Sequence, residues 1–172
     1  NIIYPSIDIL TGIVDVNDTD VSNMYSGSAF LKLMKKGRKK YSYSNRYLSK
    51  VEPEIGPLFS LENIGKISSK ISNLLNGIQK KKTNGIIFIY TEYITSGVIP
   101  LALVLEHMGF EKYSGNILDY PEWKSKNKYT KSEPIDYQWN TRSENPDDFQ
   151  RAKYVILSGQ NDLSPNNDEE IK

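Results

Sequence analysis

Residues 85–109, GIIFIYTEYITSGVIPLALVLEHMG, decide the fold class. Ile86 to Tyr90 is an unbroken run of β-branched and aromatic residues with no polar alternation. Such a run is expected of a strand covered on both faces of a sheet. Thr95 or Ser96 then stands where a helix cap belongs, and Pro100 is tolerated in a first turn because its missing N–H has no partner there. Val98, Leu101, Ala102, Leu105 and Met108 are expected to line the inner face of that helix, and Gly109 to supply its left-handed stop. A buried strand feeding a helix predicts a layered α/β domain with a parallel sheet.

Working outward, Leu61, Ile64, Ile67, Ile71, Leu74, Leu75 and Ile78 recur every three or four residues. That spacing predicts an amphipathic helix before the strand, capped by Ser60 and with Glu62 in its first turn. Downstream, Ala152 to Gly159 (AKYVILSG) reads as a second buried strand. Ser164 followed by Pro165, Asp168 and Glu169 is the start signal of a further helix. Between them, residues 111–150 are polar, aromatic and punctuated by Pro121, Pro134 and Pro146, and read as a long insertion without core elements. The expected division is a poorly defined segment, 1–59, and a lobe, 60–172, carrying the 111–150 insertion.

Composition excludes several chemistries. The chain has no cysteine and one histidine, His107, so thiolate metal sites, disulfides and a Cys nucleophile are absent. Its 22 basic and 21 acidic residues nearly balance, so no global field selects a partner. No apolar run approaches the roughly 20 residues of a bilayer-spanning helix, so no membrane partner is expected. The chain opens at Asn1 without an initiator Met and stops at Lys172 within a helix-start signal, and is expected to be a fragment.

Candidate sites follow from the strand ends. In parallel α/β sheets ligands collect where strands end and helix N-termini present free N–H groups. Here those places are Thr91 to Gly97 and Ser158 to Ser164, which spacing alone reads as ordinary strand-to-helix turns. A third candidate is KKGRKKYSYSNRY, which combines Lys35, Lys36, Arg38, Lys39, Lys40 and Arg46 with Tyr41, Tyr43 and Tyr47. Phosphate neutralisation with base stacking uses that mixture, and so does a solvated flexible loop. Glu106 and His107 fall late on the helix, which favours a structural role over acid/base chemistry. Trp123 and Trp139 are expected to pack within the insertion. No G-x-x-x-x-G-K-[ST] phosphate loop, acidic box or arginine-finger motif occurs, so nothing here is expected to hydrolyse ATP unaided.

Three stretches carry a resemblance. SLENIGKISSKISNLL, GIIFIYTEYITSGVIPLALVLEHMGFEKY and AKYVILSGQNDLSPNNDEEIK resemble, in that order, the helix before motif IV, motif IV itself, and the following strand and helix of superfamily 2 helicases of large nucleocytoplasmic DNA viruses. That group is similar to the poxvirus early transcription factor small subunit and the viral nucleoside triphosphatases. The match covers residues 60–113 and 152–172. It implies a partial RecA-like (P-loop NTPase-type) second lobe. Thr91, Ser96, Gly97 and Gly159 would contact the backbone of DNA or RNA. ATP and Mg would be bound by the parent protein and not by this segment. The implied partners are the first RecA-like lobe and the viral transcription machinery, in the virion and host cytoplasm. The alternatives are a lobe-like binding module without a motor and a free-standing doubly wound domain holding a small phosphorylated ligand. Glu92 departs from the family, where Gln or Arg is common at that position.

Overall fold

The structure, a computed structural model, describes residues 2–5, 7–10, 24, 27–81, 85–120, 132–144 and 146–164. The chain is mixed α/β. In order come α1 (Ile7–Leu10), α2 (Gly27–Leu33), β1 (Met34–Lys36), β2 (Tyr41–Tyr43), α3 (Asn45–Lys50) and α4 (Glu52–Ile55). A 3-10 turn (Ile64–Lys66), α5 (Ser69–Lys81), a π-helical turn (Ile94–Val98), α6 (Ile99–His107), β3 (Glu111–Lys112) and β4 (Lys153–Tyr154) follow. β1 and β2 form an antiparallel hairpin in which Met34 faces Tyr43 and Lys36 faces Tyr41. β3 and β4 pair in parallel, Glu111 beside Lys153 and Lys112 beside Tyr154.

The basic stretch is not a flexible loop. Tyr41, Tyr43 and Tyr47 point into the core and anchor the hairpin and α3, because a strand of period two running into a helix puts all three on one side. Phe30 meets Tyr4, Tyr41 and Phe59 edge to face at 5.3, 5.6 and 6.0 Å, and Tyr43 lies 4.8 Å from Tyr47. Buried hydroxyls need partners, and they have them. Tyr47 donates to the Gly56 carbonyl (2.7 Å), and Tyr43 accepts from the Phe59 N–H (3.1 Å). Residues on both sides of position 60 therefore share one hydrophobic core, from Ile2 and Tyr4 through Phe59 to Ile64, Leu75 and Leu103.

The apolar period from Leu61 to Ile78 is not one helix. Ser60 caps a turn by accepting from the Asn63 N–H (3.3 Å), and the helix itself begins at Ser69, where Ser68 accepts from the Ile71 N–H (3.3 Å). Ile64 and Ile67 are buried from the turns, Ile71 and Leu75 from the helix, while Leu74 faces outward. Two local caps break what the period alone joins.

α6 is enclosed more completely than one inner face predicts. Every residue from Ile99 to His107 except Leu101 is buried, while Val98 and Met108 are half-buried. Gly109 stops the helix at φ 104°, and a Cβ there would collide with the Glu133 carbonyl oxygen. Residues 111–150 contribute core after all: Ile117, Leu118 and Ile135 are buried, and Tyr41 bridges to Leu118 through bonds to Ile117 O (2.6 Å) and from Asp119 N (2.8 Å).

The expected buried strand at 86–90 is overturned. Ile86 to Tyr90 takes up no sheet pairing with the described residues, and Ile86, Phe88 and Tyr90 are 99%, 81% and 76% exposed. Apolar composition states a need for cover, and the described residues do not meet it. Of the second expected strand, Ala152 to Gly159, only Lys153–Tyr154 is strand; beyond it Ile156 is buried, while Val155 and Leu157 face outward. Trp123 and the helix expected after Ser164 lie outside the described residues. No helix among the described residues is long and apolar enough to cross a membrane.

Candidate nucleic-acid interface

The chain leaves Tyr90 into a tight turn that gathers three of the expected contact residues, Thr91, Ser96 and Gly97, all half-buried. Pro100 has no N–H to close an ordinary α-turn. Wider bonds from Val98 N to Tyr93 O (3.0 Å) and from Ile99 N to Ile94 O carry the chain into α6 instead. Neither Thr95 nor Ser96 caps the helix through its side chain. The turn is fixed at its base, where the Tyr4 hydroxyl donates to the Thr95 carbonyl and Gly27 lies against the Thr95 side chain. Thr91 closes it, accepting from the Tyr93 N–H (3.3 Å) and occupying the space beside Gly97. With the Val98 and Ile99 N–H groups taken and none on Pro100, an anionic oxygen would be met by N–H groups earlier in the turn, at its π-helical start. The exposed Glu92 carboxylate beside them opposes that use.

Gly159 sits elsewhere. It is exposed, and a Cβ built on it meets nothing within 4 Å, so close packing does not demand glycine here. Its loop leads to Asp162, which pairs with Lys36 of the hairpin at 2.7 Å. The hydrogen bond between them is the main reason the Lys36 amine is raised and the Asp162 carboxyl lowered from their ordinary values. The basic hairpin and the strand exit, separate candidates in the sequence, are thus neighbours. Asp162 carries no local sequence signal, because its partner is more than a hundred residues away.

The tyrosines interleaved with the cations are not available for stacking. Tyr41, Tyr43 and Tyr47 are 4%, 1% and 0% exposed. The cations themselves point out: Lys35, Lys36, Arg38, Lys39 and Lys40 are all exposed.

Glu106 and His107 form a buried polar centre. The Glu106 carboxylate accepts from Ile117 N (2.8 Å), Leu118 N (2.7 Å) and the Tyr154 hydroxyl (2.6 Å). Burial pushes this carboxyl up from its ordinary value, and those three bonds and the Lys112 charge pull against it. The His107 ring lies between two hydroxyls, Tyr43 at Nε2 (3.2 Å) and Tyr120 at Nδ1 (2.9 Å). Burial lowers it to about 3, so it is neutral at pH 7. A cleft of about 380 Å³ reaches His107, but a neutral ring with both nitrogens engaged offers no acid or base. Among the described residues, no cluster of His, Asp or Glu is suited to holding a metal ion. No family model, curated protein or solved structure matches the chain.

Proposed function

We propose that these residues are part of the second RecA-like lobe of an ATP-dependent nucleic-acid helicase or translocase acting in viral transcription. Their role is to contact the nucleic-acid backbone and wall one side of the interlobe cleft. The observation that carries this reading is the order of elements. An apolar run ends at Tyr90, the chain turns around Gly97 into α6, and it continues into β3, which lies parallel to β4. N–H groups at the start of a helix bind phosphate without reading bases, which suits a motor that moves along any sequence. The exposed side chains of Ile86, Ile87, Phe88 and Tyr90 suit a segment whose neighbours belong to the remainder of such a lobe.

ATP and Mg belong, on this reading, to the parent protein, between this lobe and the first. The gene on either side of the 172 residues tests it. A phosphate loop and acidic box upstream, with a Q-x-x-G-R-x-x-R box downstream, is the expected result. Flanks carrying none of these overturn the motor and leave a lobe-like binding module of a transcription factor.

A further inference from the structure

We propose, taking from the function above only that the partner is nucleic acid, that the β1–β2 hairpin tip is a sequence-independent phosphate-backbone site. In it Lys35, Arg38, Lys39 and Lys40 supply the working charges, and Asp162 holds Lys36 in reserve.

Five of the six residues from Lys35 to Lys40 are cationic, and all six are exposed. The tip is closed by the Gly37 N–H donating to the Lys40 carbonyl (2.7 Å), and its strands are rooted by the buried Met34, Tyr41 and Tyr43. The charges are therefore presented on a tight turn held by the core. Lys35 donates to the Asn45 side chain (2.8 Å), a neutral partner that leaves its charge intact. Among the described residues, Lys36 is the member of this group that meets a carboxylate, Asp162. Paired in this way, Lys36 has its charge offset and is not counted among the four working cations.

Two observations select the partner. The tip from Lys35 to Lys40 carries no apolar side chain to insert into a lipid surface, which leaves a polyanion as the fit. The three neighbouring tyrosines are buried, so no stacking platform adjoins the charges. Binding through phosphates without stacking favours the denser charge of a duplex over a single strand, and is blind to base sequence.

The test uses the 172-residue chain, labelled 20-base-pair duplexes of two unrelated sequences, the corresponding single strand, and vesicles rich in phosphatidylserine. Four phosphate contacts give a logarithmic salt slope of about −3.6, so doubling the salt weakens duplex binding about twelvefold. Arg38→Gln/Lys39→Gln/Lys40→Gln should flatten the slope to about −0.9, so that doubling costs about twofold. These side chains are exposed, and an unchanged thermal midpoint checks that the fold survives. Asp162→Asn should tighten binding and steepen the slope by about one unit as Lys36 is released. A triple variant that binds duplex as the parent does overturns the hairpin assignment while leaving nucleic acid as the partner. An unchanged slope in Asp162→Asn overturns the reserve role of Lys36. Capture by vesicles with no binding to duplex overturns both the site and the nucleic-acid reading beneath it.

Discussion

Thr91 fills the space that a side chain on Gly97 would need: a Cβ at 97 collides with the Thr91 hydroxyl and comes within 3.0 Å of its methyl group. Glycine is thus required by the turn itself, whatever binds there. Gly97→Val is accordingly no clean probe of phosphate binding, because it breaks the turn that leads into α6.

Gly97→Ala should destabilise the chain by about 1–3 kcal/mol through this overpacking. Removing the obstruction in Thr91→Ala should recover part of that loss, giving a favourable coupling of about 0.5–2 kcal/mol. Urea unfolding of the two single variants and the double variant measures it. Strict additivity would show that the two residues do not share this space.

Much of α6 was legible beforehand. Its apolar run, the early Pro100 and the Gly109 stop are all local signals, and the structure places the helix between them. The hairpin was not legible, because a cationic run leading into Tyr41-Ser42-Tyr43 describes a strand with one wet face as well as it describes a loop. Nor was the pairing of Tyr43 and Tyr120 with His107, or of Tyr154 with Glu106, since contacts between distant positions leave no mark on spacing. The largest failure was at Ile86 to Tyr90. Hydrophobicity was read correctly there, but the step from apolar to buried needs a neighbour, and none of the described residues provides it.

Glu106 acts as a clasp between α6, the backbone at 117–118 and β4. In Glu106→Gln one carbonyl oxygen replaces two carboxylate oxygens that serve three donors, and the new amide protons face N–H groups. A buried N–H left without a partner costs about 1–3 kcal/mol, so a loss of about 2–4 kcal/mol is expected. The amides of Ile117 and Leu118 should lose hydrogen-exchange protection before the rest of the core. Unaltered protection at those two positions would refute the clasp.

His107 makes stability depend on pH in a direction set by its environment. Its folded value is about 3, below the ordinary 6.5 that the unfolded chain would show. Between the two, the unfolded chain binds a proton that the folded chain does not. The His107 contribution is therefore complete above about pH 6.5 and is lost as pH falls toward 3, by up to about 1.4 kcal/mol per pH unit. Glu106 works the other way: its raised carboxyl favours the fold at low pH and loses that contribution as pH rises through its folded value. Denaturant midpoints between pH 7 and 5 should fall in the parent and fall less in His107→Gln. Equal slopes in the two proteins would mean that His107 is not held neutral.

Ile86 to Tyr90 should behave as an unprotected and adhesive segment. All its side chains but that of Ile89 are exposed, its residues favour strand, and it carries no charge and no proline, the composition that promotes edge pairing and association. Its amides should exchange fast, while those of Tyr43, Tyr47, Leu103 and Val104, whose side chains are buried, exchange slowly. Phe88→Lys places a charge on a side chain that is 81% exposed, so the fold should not suffer, and the concentration at which the chain associates should rise severalfold. Light scattering across a concentration series reads this directly. Strong protection at 86–90 in dilute monomer would instead require pairing within the chain. In that case Phe88→Lys would lower the unfolding midpoint rather than the tendency to associate, and the two measurements together distinguish a sticky edge from a hidden strand.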